Sequence, residues 1–195
     1  MDTIAPFKIT VCGIEELTDH REAGASHVLS ILDPDWPVPE VFGSFGEHEK
    51  LELRFHDVIE DDVGASPPQA EDVTRLLGFG RDLTAEPPNN AHLLVHCHAG
   101  ISRSTASMAL ILAQALPDLS ARQILQEVLR VRPKAWPNLR IIELGDAMLA
   151  RNGEMITAAI EIYRLQLETR PHLAEFMILG GRGREVAAAR SLDPI

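Results

Sequence analysis

The segment from residue 91 to residue 116 constrains the fold of this chain more than any other. It begins with AHLLVHC (91–97), a short apolar run that predicts a buried β-strand. After five residues it continues as RSTASMALILAQAL (103–116), whose apolar side chains recur near the helical period. A buried strand that leads through a tight loop into a helix is typical of an α/β sheet, and such sheets bind ligands at the carboxyl ends of their strands. Cys97, at the end of the strand, therefore lies where a ligand site is expected.

The rest of the chain alternates strand and helix patterns and then becomes helical. We predict an α/β fold with a central, mostly parallel sheet of about four to five strands flanked by helices, followed by a helical C-terminal half. The predicted strands are 7–14, 26–32, 50–58 and 91–97; the predicted helices are 15–24, 68–86, 103–116, 120–131, 138–150 and 154–170; the predicted loops are 33–46 and 58–68.

Two parts are expected along the chain. Residues 1–152 carry the α/β pattern, and residues 153–195 form a helical extension and tail that we expect to pack on the same domain. The helix predicted over 154–170 has an apolar face that fits such packing, although a dimer contact or a flap over the site stays open. The glycines of the polar tail, from Gly180 onward, are interpreted as a flexible linker.

Charge and composition limit the classes of molecule that this protein is expected to bind. The 195 residues carry a formal net charge of -11, which argues against nucleic acid and acidic membranes. There is no signal-peptide pattern and no run of about 18 apolar residues, so a cytoplasmic protein without membrane association is the expectation. With only two cysteines, Cys12 and Cys97, a disulfide framework is not expected. A phosphorylated ligand still fits, because a local pocket can be positive on an acidic protein.

The loop from Cys97 to Arg103 has the chemistry of an anion site. A short loop between a strand and a helix can aim several backbone N–H groups at one point, to which the helix adds its positive end. Gly100 permits a tight turn, and Arg103 can hold two phosphate oxygens with its planar guanidinium. The predicted phosphate-binding residues are His98, Ala99, Gly100, Ile101, Ser102 and Arg103.

The same surroundings favour the thiolate form of Cys97, which is the nucleophilic form of cysteine. Ser104 can donate a hydrogen bond to the sulfur and stabilise the thiolate when a thiophosphate intermediate is hydrolysed. Ser102 is expected to help hold the shape of the loop. The loop thus predicts a nucleophile beneath a bound phosphorus atom.

The pattern His96-Cys97-x5-Arg103-Ser104, with Gly100 in the middle, resembles the signature of the cysteine-based protein-tyrosine phosphatases. The form HCHAGISRS is most similar to the compact dual-specificity branch, which includes small bacterial predicted tyrosine phosphatases. The resemblance covers roughly residues 7–150 and implies the fold of that family, a phosphocysteine intermediate, and no metal or organic cofactor. It assigns Cys97 as the nucleophile and Arg103 as the phosphate ligand, while His96 helps to order the cysteine.

The resemblance also implies a general acid on a loop upstream of the cysteine. Asp57, Asp61 and Asp62 are candidates, at 40, 36 and 35 residues before Cys97. We favour Asp57 because it ends the strand pattern LELRFHD, as the acid of the family follows a strand of that kind. The segment RPKAWPN (132–138) is similar to the one that opens a late helix in dual-specificity phosphatases, and this similarity makes Asn138 an N-cap with a structural role.

Other interpretations stay open. Cys97 alone would fit a buried thiol, and His92, His96 and His98 would fit zinc, although no second cysteine or paired carboxylate lies nearby. Cys12 is expected to be a small core residue, with a protective disulfide to Cys97 as a minor hypothesis.

The function has alternatives as well. The main prediction is a phosphomonoester hydrolase of the protein-tyrosine phosphatase type, with dual specificity left open, acting on a phosphorylated protein or peptide. A phosphate-binding pseudo-phosphatase without turnover is the alternative, and a sulfurtransferase fits less well because of Arg103 and Ser104. The loop from 97 to 103 contains no lysine, whereas phosphoinositide-directed members of the family it resembles often carry lysines there, so the resemblance makes an inositide substrate less favoured. Phosphotyrosine is the expected substrate because the resemblance implies it.

Overall fold

The computed structural model describes residues 3–61, 64–87 and 90–191, and within them the chain forms one parallel four-stranded sheet. The strands follow the order β1-β4-β2-β3 across the sheet, and each neighbouring pair is parallel. This architecture confirms the predicted α/β class and the helical C-terminal half. The strands are β1 (Lys8–Cys12), β2 (His27–Leu32), β3 (Glu49–Arg54) and β4 (His92–His96).

Seven α-helices cover the sheet and continue beyond it in the described part of the chain. The predicted helix over 15–24 is only a short 3-10 turn, Leu17–His20, and a second 3-10 turn, Glu40–Ser44, lies within the predicted loop 33–46. The helices are α1 (Ala70–Ala85), α2 (Arg103–Ala115), α3 (Ala121–Val131), α4 (Leu139–Met148), α5 (Glu154–Thr169), α6 (Leu173–Leu179) and α7 (Gly183–Ser191). None of the helices in these ranges is both long enough and apolar enough to span a bilayer.

Strand β4 lies inside the sheet between β1 and β2, and this position explains its apolar sequence. All five of its residues are buried, with Leu93, Leu94 and Val95 fully inaccessible. Parallel strands covered on both faces are apolar throughout rather than alternating. Helix α2, which begins directly after the loop, is buried from Arg103 to Ala113. The loop between β4 and α2 is therefore held between two rigid, buried elements.

Helix α4 begins where the sequence predicts. The side chain of Asn138 accepts a hydrogen bond from the backbone N–H of Ile141 at 3.1 Å, which confirms Asn138 as the N-cap. The helix then packs closely on α2, because a Cβ placed at Gly145 would lie 2.2 Å from a methyl carbon of Leu110. The start of α4 is thus fixed relative to the helix that follows Cys97.

The C-terminal helices share the core of the sheet. Tyr163 of α5 is fully buried, its hydroxyl donates to the carbonyl of Pro137, and its ring stacks on Trp136 at 4.8 Å. Interpreting the tail from Gly180 as a flexible linker was wrong. Helix α7 occupies most of this segment and packs on α5, with Arg182 and Glu185 buried just before and within it. The physical reason is an ion pair between these two residues, which a local sequence pattern does not reveal.

Candidate active site

Gly100 allows the loop of residues 97–103, hereafter the Cys97 loop, to turn beside strand β1. Its φ is +66°, a left-handed conformation that residues with a side chain rarely adopt. A Cβ at this position would lie 2.4 Å from the carbonyl carbon of Cys12, closer than atoms can approach. Only glycine satisfies both conditions, so the tight turn predicted from the sequence is built on this residue.

The carbonyl groups of the Cys97 loop are held by donors outside it. No residue in the described ranges accepts a hydrogen bond from the N–H groups of positions 98–102. Backbone amides without a protein acceptor, grouped at the start of a helix, are suited to bind an anion. The backbone contacts to these carbonyls from outside α2 are Ile14 N–H to His98 O at 3.0 Å, Trp136 N–H to Ile101 O at 2.9 Å and Asn138 N–H to Ser102 O at 3.3 Å; within α2, Ala106 N–H also donates to Ser102 O at 3.0 Å.

Arg132 completes this support and was missed by the sequence analysis. Its guanidinium donates to the carbonyls of Gly100 at 2.9 Å and Ala99 at 3.0 Å, and pairs with Glu16 at 2.7 Å. Burial acts to raise the pKa of Glu16, but the N–H of Gly13 and the charge of Arg132 outweigh it and lower that pKa. Arg132 thus fixes the outer side of the loop from the end of α3. An arginine placed just after a predicted helix gave no sequence signal for this role.

Cys97 lies at the base of the loop and contacts Ser104. The cysteine is 2% exposed and Ser104 is fully buried. The Sγ of Cys97 and the Oγ of Ser104 lie 3.3 Å apart, within hydrogen-bonding distance for sulfur. The hydroxyl of Ser104, in the first turn of α2, is therefore placed to donate to a thiolate.

Arg103 is buried, and its guanidinium contacts the segments that follow β2 and β3. Its Nη1 donates to Asp33 Oδ1 and to the carbonyl of Phe55, both at 2.6 Å. Its Nε is buried, and no described residue accepts a hydrogen bond from it. The sequence analysis places Asp33 only at the start of the predicted loop 33–46 and assigns it no role in the site. A signal did exist, because Asp33 directly follows β2, and the carboxyl ends of parallel strands meet at one edge.

His98 and Trp36 form an aromatic rim beside the loop. Their rings lie 4.5 Å apart, and Trp36 is 45% exposed. The Nε2 of His98 accepts a hydrogen bond from the backbone N–H of Asp33 at 3.3 Å. Burial, together with the charge of Arg103, lowers the pKa of His98 and favours the neutral ring. The exposed ring of Trp36 therefore packs on the neutral ring of His98 in the same loop that ends at the buried cation of Arg103.

His96 is fully buried under the loop. Its Nε2 lies 2.8 Å from the hydroxyl of Ser30, and burial lowers its pKa to about 4. The ring next to Cys97 is thus neutral at physiological pH. The other histidines of the zinc hypothesis have different partners, since His92 contacts Thr10 and the carbonyl of Ala23.

Of the two candidate acids within the described residues, Asp57 and Asp61, Asp57 is the one that contacts the Cys97 loop. It follows β3 by three residues rather than ending the strand as the sequence pattern suggested. Its carboxyl is about one third exposed. Three donors meet at Oδ1: Ser102 Oγ at 2.7 Å, Asn138 Nδ2 at 2.8 Å and Arg182 Nη1 at 3.2 Å. Ser102, expected to shape the loop, thus also ties it to the acid.

Of the other two candidate acids, the described one, Asp61, does not contact the loop. Asp61 is 80% exposed and pairs with Arg140 at 3.2 Å on the protein surface. Asp62 lies outside the described residues. Arg182 was not anticipated, and its position in a glycine-rich tail gave no indication of a role in the site.

Cys12 is a buried, unpaired thiol next to the loop. It is fully inaccessible, which confirms it as a core residue, and it is not in a disulfide. Burial, reinforced by the charge of Glu16, raises its pKa to about 12. Cys12 is therefore held in the unreactive thiol form.

Comparison with known proteins defines the class of fold. No family model matches the chain, and a search of curated proteins found no match. Human DUSP28 aligns with a TM-score of 0.53 at 19% identity, over 77% of this chain and 99% of its own. The Yvh1 phosphatase domain from Chaetomium thermophilum aligns with a TM-score of 0.54 at 20% identity, over 78% of this chain and 96% of its own. PTPMT1 in complex with PI(5)P aligns with a TM-score of 0.53 at 14% identity, over 77% of this chain and 94% of its own.

These neighbours are dual-specificity and tyrosine phosphatases, so the chain has the phosphatase fold. That is the class which the pattern of residues 96–104 resembles. The fold comparison uses the path of most of the chain, whereas the pattern uses nine residues.

Proposed function

We propose that the protein is a protein-tyrosine phosphatase of the dual-specificity type that hydrolyses phosphomonoesters through a phosphocysteine intermediate. The observation that carries this proposal is the meeting of three groups at one loop. Cys97 lies at the base of the loop, Arg103 is its last residue, and Asp57 accepts a hydrogen bond from its Ser102. Nucleophile, anion ligand and proton donor are the groups that this reaction requires.

In the first step the thiolate of Cys97 attacks phosphorus, and the bond from phosphorus to the substrate oxygen breaks. Asp57, in its acid form, gives its proton to that leaving oxygen. The backbone N–H groups of the loop and the guanidinium of Arg103 stabilise the equatorial phosphate oxygens. Arg103 has an Nε without a protein acceptor in the described chain, which is a donor for this purpose.

In the second step water attacks the phosphorus of the phosphocysteine and the S–P bond breaks. The Asp57 carboxylate takes a proton from that water, and inorganic phosphate is released. The departing electron pair returns to Cys97 Sγ, where Ser104 Oγ, 3.3 Å away, donates a hydrogen bond to the thiolate. No metal or organic cofactor is part of this proposal.

Phosphotyrosine is the proposed substrate side chain, presented on a protein or peptide in the cytoplasm. The exposed ring of Trp36 beside His98 supports an aromatic substrate, since aromatic rings pack on one another with a favourable geometry. The test is Trp36→Ala assayed with phosphotyrosine and phosphothreonine peptides of one sequence. We expect a rise in KM of about three- to tenfold for phosphotyrosine only. An equal rise in KM for both peptides would contradict the proposal that Trp36 packs on the phosphotyrosine ring.

Turnover itself is tested with 4-nitrophenyl phosphate. We expect metal-independent hydrolysis that Cys97→Ser abolishes and Arg103→Lys reduces by about 10²–10³-fold, because lysine lacks the planar pair of donors. Full activity of Cys97→Ser would contradict the proposed nucleophile. A phosphopeptide panel captured by Cys97→Ser would then identify the substrate sequence.

The assignment of Asp57 needs its own experiment. Asp57→Asn should lose the limb of the pH–rate profile that reports the acid, whereas Asp61→Asn and Asp62→Asn should keep it. If Asp57→Asn retains full turnover and the wild-type profile, the acid is another residue.

A phosphate-binding module without turnover is the second candidate. It is favoured by two ion pairs, Asp57 with Arg182 and Arg103 with Asp33, which hold both catalytic groups in protein contacts. Absence of turnover by the wild type, together with phosphopeptide binding that survives Cys97→Ser, would favour this module over the phosphatase.

A further inference from the structure

The C-terminal extension brings a buried charge to the candidate acid. Arg182, which directly precedes α7, is 5% exposed. Its Nη1 donates to Asp57 Oδ1 at 3.2 Å and to Ser102 Oγ at 2.9 Å. One guanidinium therefore contacts both the residue proposed to donate the proton and the loop proposed to hold the phosphate.

Glu185 fixes the guanidinium in this position. Its carboxylate accepts from Arg182 Nε at 2.8 Å and Nη2 at 2.6 Å, which is a bidentate pair. The same carboxylate accepts from Trp136 Nε1 at 2.6 Å and from the N–H of Leu139 at 3.0 Å. Because the backbone of Trp136 also holds the Cys97 loop, Arg182 is anchored to the segment that shapes the loop.

Arg182 carries its charge throughout the working pH range. Burial opposes the charged form, but the carboxylates of Asp57 and Glu185 outweigh it and raise the pKa of Arg182 above its usual value. Burial likewise acts to raise the pKa of Glu185, an effect that Arg182 opposes. A buried arginine needs an anionic partner for stability, and Glu185 is a bidentate one. Glu185 accepts from Nε and Nη2, which leaves Nη1 to donate to Asp57 and Ser102.

We propose that Arg182 is a positioning residue for Asp57. It holds Oδ1 of the carboxyl from one side while Ser102 and Asn138 hold it from others, which leaves Oδ2 to carry the transferred proton. When Asp57 gives its proton to the leaving oxygen, the carboxylate that forms lies beside a fixed positive charge. Residues 153–195 thus belong to the active site through Arg182. This inference rests on the phosphatase function proposed above.

The test compares leaving groups, because a substrate with a poor leaving group needs the acid more than an activated one does. The enzymes are wild type, Arg182→Gln, Arg182→Lys and Arg184→Gln, assayed with 4-nitrophenyl phosphate and phenyl phosphate. Arg184 is the matched control, since it lies two residues after Arg182, in the first turn of α7, and pairs with Glu60 and Glu143 at the surface.

We expect Arg182→Gln to lower kcat for phenyl phosphate by about 10–100-fold, with a much smaller loss for 4-nitrophenyl phosphate and little change in KM. Arg182→Lys should restore part of the loss, because lysine keeps the charge but lacks the second donor arm. Arg184→Gln should match wild type on both substrates. If Arg182→Gln does not fold, the difference between leaving groups is read from Arg182→Lys alone.

A double-mutant cycle shows whether Arg182 acts through Asp57. In the Asp57→Asn background, Arg182→Gln should have little further effect on kcat for phenyl phosphate. Equal losses on both leaving groups, or effects that add to those of Asp57→Asn, would show a purely structural role and overturn the inference. Absence of Cys97-dependent turnover in wild type would instead refute the proposed function, and the inference with it.

Discussion

Arg103 Nη1 and Asp33 Oδ1 lie 2.6 Å apart, so the residue proposed to bind phosphate is paired with a carboxylate of the protein. Asp33 follows β2 and is 35% exposed in its side chain, whereas Arg103 is 3% exposed. A phosphate bound in the loop would compete with the Asp33 carboxylate for the Arg103 guanidinium and would be repelled by its negative charge. We therefore expect Asp33 to weaken phosphate binding, although it also holds the Arg103 guanidinium in place.

Removing that charge should tighten product binding. We expect Asp33→Asn to lower the inhibition constant of inorganic phosphate by about three- to tenfold, as fits a partly exposed ion pair. Asp35→Asn, an equal charge change at an exposed position of the same loop, is the control and should change it little. A weaker affinity for phosphate in Asp33→Asn would show that Asp33 instead orients Arg103 for binding.

Replacing Ser104 should slow the second chemical step. Ser104→Ala removes the hydrogen bond to the departing thiolate, and a bond to a charged group contributes about 1.5–3 kcal/mol, or roughly 10–100-fold in rate. Stopped-flow assays with 4-nitrophenyl phosphate should then show a burst of nitrophenol followed by slow turnover. Ser107→Ala, which changes another buried hydroxyl of α2, should show no burst. A uniform loss of both steps in Ser104→Ala would argue against this role.

The two cysteines should differ in reactivity. Iodoacetate at neutral pH should label Cys97 and leave Cys12 unmodified, because burial raises the pKa of Cys12 to about 12. Inorganic phosphate should protect Cys97 in peptide mapping. Labelling of Cys12 at a comparable rate in the folded Cys97→Ser variant would contradict this difference in reactivity. In the wild type, a Cys12–Cys97 cross-link formed under mild oxidation would contradict it as well.

His96 should make the stability of the protein depend on pH. Burial lowers its folded-state pKa to about 4, below the ordinary value of 6.5. The unfolded chain therefore binds the proton more readily, and the free energy of unfolding falls as pH decreases from about 6.5 to 4, by about 3 kcal/mol from this residue. Urea unfolding of wild type and His96→Asn across this range should give a shallower slope for the variant. Equal slopes would show that His96 does not contribute.

The sequence predicts the fold where the signals are long and local. The apolar run before Cys97 and the helical period after Arg103 define β4, α2 and the loop between them, and Gly100 marks the left-handed turn. The 3-10 turn Leu17–His20 differs from the predicted helix because so short a segment carries little periodicity.

The parts of the site that could not be predicted depend on contacts between distant segments. Asp33 meets Arg103 because β2 lies beside β4 in the sheet, an order that the sequence does not state. Arg182 is fixed by Glu185, which in turn binds Trp136 from another helix junction. The glycines of this segment indicate flexibility, and its sequence gives no sign of the buried ion pair, so the tail is predicted to be a linker.

The most direct test of the account is to trap the covalent intermediate. Wild type and Ser104→Ala are mixed rapidly with 4-nitrophenyl phosphate, quenched in acid and examined by mass spectrometry of their peptides. We predict one phosphoryl group on Cys97, more abundant in Ser104→Ala, and none in Cys97→Ser. Steady turnover by wild type with an unmodified Cys97 at every quench time in both proteins, or a phosphoryl group on another residue, would contradict the phosphocysteine mechanism.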